Sequence, residues 1–362
     1  MTVQLADPSP AKSQAGYGAR SGASAGDLAR RPETGALIGT ISVFVFFAIF
    51  GGGQFLSAGG AASWLNVAAE LGIIAIPVGL LMVAGELDLS VGSVLAASSM
   101  TVAIVSGYWG GPVIVGIVAA LALGLAVGFL NGLLVTRTNV PSFIVTLATL
   151  SGLSGLTLGL SRVVTGTTSV AIDPGPQAKA VLGTLVGGKF EVAIFWWIAA
   201  ILVVGWLLHV SPYGNWVFAV GGDKESARAT GIPVQGVKIT LFIASAFGAA
   251  VVGVIQTMLY NSAQVANGQS FVFNSIIAVV IGGVLLTGGY GSVVGIVLGT
   301  LTFAIVSQGI YYTGWNSDWA ALILGVLILA AVLMNNTFRR MALAHAPRTK
   351  KLPTALRAEK EA

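Results

Sequence analysis

Residues 64–93 read WLNVAAELGIIAIPVGLLMVAGELDLSVGS. From Trp64 to Gly85 the run is apolar apart from Asn66 and Glu70, about the length needed for a helix to cross a ~30 Å hydrocarbon core. It stops at Gly85-Glu86-Leu87-Asp88-Leu89-Ser90, and a second apolar run opens at Val91. Two carboxylates and a hydroxyl between two membrane-length runs predict a helical bundle with a polar break. Backbone of that kind is tolerated at membrane depth only where it lines a cavity or a protein interface. A short polar turn at the membrane surface, in which Asp88 and Ser90 cap the amides opening the next helix, fits the same residues.

Working outward, similar runs recur at 36–51, 64–85, 91–106, 112–135, 142–160, 192–208, 238–259, 273–287, 290–312 and 319–334. They are continuously apolar and do not alternate with period two, which predicts helices and not a β-barrel. The chain has 362 residues, 55% of them hydrophobic and only 9% charged, with no cysteine. An ordinary soluble domain carries roughly 25% charged residues. Together with a mean hydropathy of +0.89, this excludes a soluble globule, a disordered chain, a coiled coil, a disulfide scaffold and a zinc finger. The expected fold class is an all-α integral membrane protein of about ten transmembrane helices.

The net charge of +5 does not point to nucleic acid, because the excess sits in the tails. Residues 1–34 are Ser-, Ala-, Gly- and Pro-rich and predict a flexible tail; residues 339–362 form a basic tail; residues 35–338 form the membrane domain. Cytoplasmic loops retain Lys and Arg. With both termini inside, Lys12, Arg20, Arg30, Arg31, Arg137, Lys224, Arg228, Lys238 and the seven basic residues from Arg339 to Lys360 are cytoplasmic. Only Arg162, Lys179 and Lys189 fall outside. An even span count is thereby favoured, with a cytoplasmic loop at 209–237 and a long external loop at 161–191.

Close helix packing is expected where Gly124, Gly128 and Gly132, and again Gly291, Gly295 and Gly299, recur every fourth residue. The stretch from Ile73 through Gly79 to Gly85 echoes the stretch from Ile276 through Gly282 to Gly288, and Gly92-Ser93-Val94 echoes Gly291-Ser292-Val293. Duplication, common in transporters, is one reading; two Gly-rich apolar helices alike in composition is the other.

Between the sixth and seventh spans, Asp223 is a good N-cap, Gly231 a good helix stop, and Pro233 bars continuation. This predicts a two-turn cytoplasmic helix. So short a helix is unstable alone, so it docks against its own bundle or a partner. Glu70 inside a span is a functional candidate by default, with snorkelling to the outer interface the alternative. Candidate path-lining groups are Asn66, Glu70, Asp88, Ser90, Ser142, Thr146, Gln256 and Asn274. Gly183-Thr184-Leu185-Val186-Gly187-Gly188-Lys189-Phe190 imitates a phosphate-binding loop, but Phe190 replaces the Ser/Thr that would ligate magnesium. The only histidines, His209 and His345, assemble no catalytic or metal site, and no cofactor is expected.

The Asp-Leu-Ser-Val-Gly-Ser stretch at 88–93, the Ala-Val-Gly-Gly…Ala-Arg…Gly-Ile stretch at 219–232 and the Gly-Gly-Val-Leu-Leu-Thr-Gly-Gly-Tyr-Gly-Ser-Val stretch at 282–293 occur in that order. Together they resemble the permease subunits of bacterial ABC importers for ribose, xylose, galactose and similar sugars, over about residues 36–336. The resemblance implies a multi-pass inner-membrane protein working as a homodimer or with a related permease. It implies two cytoplasmic ATP-binding subunits and a periplasmic sugar-binding protein as partners, and no covalent chemistry in this chain. It also implies that Gly221, Gly222, Asp223, Glu225, Ala227, Arg228 and Gly231 belong to the loop that couples to the ATPase. The sequence departs from the family at Gly85-Glu86-Leu87, where Gly-Gly-Ile is usual, and at Phe273-Asn274-Ser275, where an acidic Leu-Asp pair is usual. Glu70 and Pro77 also replace other residue types. These departures bear on which solute is carried and leave the permease role as it is.

Two other classes fit the composition. An ion-coupled secondary transporter would use Glu70, Glu86 and Asp88 as coupling carboxylates. An intramembrane enzyme is disfavoured, because the spans hold no nucleophile with a base and no metal ligands. Within the importer class, an amino acid, a nucleoside or a polyol is an alternative cargo. The external loop, with Asp173-Pro174-Gly175-Pro176, is the expected docking surface for the binding protein.

Overall fold

A backbone removed from water must bond to itself, and the apolar runs do so as helices. The computed structural model describes residues 32–138, 140–316 and scattered positions between 319 and 333. The basic C-terminal tail, almost all of the N-terminal tail and half of the tenth expected span, 319–334, lie outside the described residues. In chain order come α1 (Pro32–Phe50), the single turn α2 (Gly52–Phe55), α3 (Ala58–Val83), α4 (Val91–Val102), α5 (Val113–Arg137) and α6 (Ser142–Thr165). The connection to the next long helix holds β1 (Ser169–Ala171), α7 (Gly175–Leu182), β2 (Leu185–Val186) and β3 (Phe190–Glu191). Then follow α8 (Ala193–Val210), α9 (Pro212–Gly222), α10 (Lys224–Ala229), α11 (Val234–Tyr260), β4 (Ser262–Gln264), α12 (Gln269–Ile281) and α13 (Val293–Gly309). A π-helical turn, Ala103–Tyr108, prolongs α4, and a 3₁₀ turn, Ile310–Tyr312, follows α13.

Eight of these helices, α1, α3, α4 with its π turn, α5, α6, α8, α11 and α13 with its 3₁₀ turn, are long and apolar enough to cross a membrane. The eighth expected span, 273–287, needs correction. The helix there is α12, with only 13 residues, about 20 Å at 1.5 Å per residue and too short to cross a bilayer. The apolar residues after it, 282–292, leave the helix through Gly282, Gly283, Gly288 and Gly289.

The axis of the bundle is α3. Every residue from Ala68 to Val83 is buried, enclosed by α8, α11, α12 and α13. Pro77 in its middle cannot donate to Ile73, and the freed Ile73 carbonyl faces Gly248 of α11, where no side chain intervenes. Around this axis α5, α6 and α8 turn large apolar side chains outward, among them Val118, Leu156 and Trp206. The expected Gly124–Gly128–Gly132 ladder seats α5 on α11: a methyl at Gly128 would lie 2.6 Å from the Phe242 carbonyl oxygen and one at Gly132 2.8 Å from Ile239 Cα. Of the second ladder, Gly295 and Gly299 seat α13 on the Ala278–Gly282 face of α12, whereas Gly291 precedes the helix and lies against Val83 and Val284.

The two stretches of the internal echo share one backbone feature. Gly85, after α3, and Gly288, after α12, take left-handed φ values of +82° and +81°, a conformation that disfavours any side chain. The two breaks meet through a hydrogen bond from Gly289 N to Val83 O at 2.7 Å. Beyond them the copies diverge. Ser292 caps α13 by accepting from Gly295 N at 3.0 Å, whereas the Ser93 hydroxyl donates to Ser90 O at 2.8 Å.

At the opposite end, β1 pairs antiparallel with β4, Ser169 with Gln264 through Ala171 with Ser262. β2 and β3 form a hairpin whose turn holds Gly187 and Gly188, both left-handed. The phosphate-loop imitation at 183–190 is this hairpin.

Candidate functional site

The break between α3 and α4 is knitted to three helices by polar side chains. Asp88, 1% exposed, accepts from Ser90 N at 2.9 Å and from the Ser90 hydroxyl at 2.6 Å on one oxygen. Its other oxygen accepts from the Ser245 hydroxyl of α11 at 2.8 Å. Asn131 of α5 donates to the Ser90 hydroxyl at 2.9 Å, and the Thr149 hydroxyl of α6 donates to Asn131 Oδ1 at 2.6 Å. Ser142, also on α6, accepts from Leu87 N at 3.1 Å, and the Thr146 hydroxyl bonds Leu87 O and Ser142 O. A carboxylate out of water is tolerated when its lone pairs are filled in this way.

The capping expectation is corrected in detail. Ser90 occupies the N-cap of α4, but its side chain makes no capping bond; Asp88 instead closes a local turn on the Ser90 amide. Of the expected path residues, Asp88, Ser90, Ser142 and Thr146 are thus gathered at one place. Asn131, Thr149 and Ser245 complete the group. Each is polar within an apolar run, the signal by which they could have been found. Glu86 pairs with Lys238 near the start of α11.

A second group lies farther along α3. Glu70 does not snorkel: it is 8% exposed, and Gln256 of α11, 6% exposed, donates to its Oε2 at 2.9 Å. Asn66 clasps the β2–β3 hairpin, donating to Lys189 O at 2.9 Å and accepting from Glu191 N at 3.0 Å. This brings the Glu191 carboxyl within electrostatic reach of Glu70. Burial pushes Glu191 up to about 7. Glu70 Oε1, Glu191 Oε2 and Gln256 Oε1 are buried without hydrogen-bond partners. Asn274 sits half-buried on α12 and takes part in neither group.

The expected two-turn helix is α10, with Asp223 accepting from Ser226 N at 2.7 Å. That amide holds the Asp223 carboxyl below its ordinary range. After Thr230 the chain turns at Gly231, φ +85°. Ala227 is buried against the bundle, while Lys224, Glu225 and Arg228 are exposed, the last two paired at 3.1 Å.

A cavity of about 300 Å³ opens between α6 and α12, lined by Leu150, Ser151, Ser154, Gln269, Val272 and Phe273. Near it, Gly152, Gly155 and Gly159 of α6 face open space, unlike the filled ladder of α5. Among the described residues no cluster of three or more His, Cys, Asp or Glu could hold a metal ion.

Comparison with known proteins bears on these sites. Residues 60–332 match the family described as branched-chain amino acid transport system / permease component. A ribose import permease protein of Bacillus subtilis (strain 168) is 34% identical over 282 residues, covering 75% of this chain and 83% of its own. A fructose import permease protein of Rhizobium meliloti is 29% identical over 318 residues, 86% of this chain and 87% of its own. A xylose transport system permease protein of Escherichia coli (strain K12) is 28% identical over 355 residues, 83% of this chain and 90% of its own. No solved structure matches.

Proposed function

This chain belongs to the family of the branched-chain amino acid transport system / permease component, and from that premise we propose that it is the membrane subunit of an ATP-driven, binding-protein-dependent importer of a monosaccharide. The observation that carries the reading is the similarity, over most of the chain, to permeases named for ribose, fructose and xylose. In this reading the subunit hydrolyses nothing itself. Cytoplasmic ATP-binding subunits act on the 209–237 loop through Gly221, Gly222, Asp223, Glu225, Ala227, Arg228 and Gly231. A periplasmic binding protein delivers the sugar to the 161–191 side. Both termini are cytoplasmic; α12, too short to cross as a helix, counts as a membrane segment only together with the 282–292 break that follows it, the 319–334 segment is the tenth, and the matched Gly85 and Gly288 conformations support an internal repeat.

The open Ser151–Gly155–Gly159 face of α6 supports pairing with a second permease, a copy of this chain or a relative. Small residues at four-residue spacing let helices approach closely in lipid. Ser151, Ser154, Gln269 and Asn274 then line the path at that seam, since hydroxyls and amides at membrane depth are not left facing lipid and suit a neutral polyol. Asp88, Ser90, Ser142 and Thr146 form the gate at the break, and Asn66, Glu70 and Gln256 shape the other end. ATP binding shifts the bundle between its two access states by favouring one of them.

The test is uptake in vesicles carrying the permease with its ATPase subunits and binding protein. The expected result is ATP-dependent accumulation of labelled ribose, xylose or fructose. Uptake that survives ATP depletion and collapses with an uncoupler would establish the ion-coupled alternative. The family description itself favours a second cargo, a branched-chain amino acid, so labelled leucine belongs in the same assay.

A further inference from the structure

The four last carbonyls of a helix have no partner within it. At the end of α3 the amides of Ala84, Gly85 and Glu86 turn back to Leu80, Met82 and Leu81, and the Val83 carbonyl is taken by Gly289 N at 2.7 Å. That bond joins the two breaks, and a third segment closes over it. Gly221, at the end of α9, is seated so that a methyl group there would overlap the Val83 carbonyl oxygen and lie 2.7 Å from Gly289 N. A methyl at Gly288 would lie 2.9 Å from Gly221 O and 2.9 Å from Gly85 Cα. Three backbones therefore meet with no side chain between them. The adjacent Gly222 has open space.

Asp223, which caps α10, follows this junction directly. The other flank of the same loop is tethered too, since Lys238 of α11 pairs with Glu86 in the break after α3. Both ends of the loop thus grip residues 83–86. A displacement of α10 cannot leave that break where it was, and the Gly289 bond carries the second break with it. Because packed backbones are not continuously deformable, such a contact moves as a unit.

We propose that Gly221 is a positioning residue that makes the 223–231 loop drive both helix breaks together, with the Lys238–Glu86 pair as the second tether. The inference rests on the reading of that loop as the ATPase contact. The motion is delivered to the segment that carries Asp88 and Ser90.

The experiment compares Gly221→Ala with Gly205→Ala in the permease assembled with its ATPase subunits and binding protein in vesicles. Gly221→Ala is expected to retain the ATPase subunits on purification and to hydrolyse ATP, yet to lose uptake roughly ten-fold or more, within the range of coupling free energies between sites. Gly205→Ala, whose methyl enters open space on α8, is expected to transport within about two-fold of wild type, as surface changes do. Wild-type uptake by Gly221→Ala would overturn the junction. Deletion of 223–231 separates this from the underlying reading: ATP-driven uptake retained by the deletion sinks the coupling role of the loop itself. Should Gly221→Ala fail to assemble, hydrogen exchange on the wild-type complex decides the matter. Amides at 84–86 and 286–291 should change protection together on adding a non-hydrolysable ATP analogue, and a change at only one break, or at neither, would overturn the proposal.

Discussion

Asp88 shows what a buried charge requires of its neighbours. Its two oxygens hold Ser90 and Ser245, so Ser245→Ala removes one bond and should cost about 1 kcal/mol, whereas Asp88→Ala strands several buried donors and should cost about 1–3 kcal/mol or more. Thermal unfolding of the purified protein measures both. Glu191 gives a pH dependence. Its carboxyl is raised from 4.5 to about 7 by burial, so the folded chain binds a proton that the unfolded chain releases. That contribution to stability is complete below about 4.5 and is lost as pH rises through about 7. The melting temperature should fall across this window, and Glu191→Gln should flatten the fall; an unchanged slope would remove Glu191 as its source. At this scale the sequence made Asp88 and Ser90 legible, because charge and hydroxyl between two apolar runs have few uses. Asn131, Thr149 and Ser245 were not legible as their partners, because a single polar residue in a span does not say which way it faces.

Among the elements, the α5–α11 contact and the open face of α6 make a controlled pair. Gly128→Ala places a methyl 2.6 Å from the Phe242 carbonyl, an overpacking expected to cost about 1–3 kcal/mol. Gly155→Leu enters open space and should leave the fold intact while weakening association of two permeases, read as a loss of cross-linked pairs in the membrane. The α5 ladder was legible from four-residue spacing, though not its partner. The shortness of α12 was not: Val284, Leu285 and Leu286 continue the hydropathy of a span, and the turn at Gly288 becomes plain only when the backbone meets Val83. The two-turn α10 was fully legible, since Asp223, Gly231 and Pro233 are local signals that need no tertiary contact to act.

For the whole molecule, eight of the ten expected spans are membrane-length helices among the described residues, because hydrophobicity and length decide them. The enclosure of α3 was out of reach of such reasoning. In the sequence α3 and α8 are equally apolar, yet α3 is buried along most of its length and α8 turns Leu202, Val203 and Trp206 outward. That difference sets how the protein meets its bilayer. α3 is 26 residues long, about 39 Å at 1.5 Å per residue, more than a ~30 Å hydrocarbon core. Its stretch from Ala68 to Val83 is shielded by protein and meets no acyl chains, while α1 and α8, at 19 and 18 residues, meet them directly. Thicker or thinner membranes therefore tilt the rim and leave the spindle upright, and lipid composition acts on this transporter from its circumference inward.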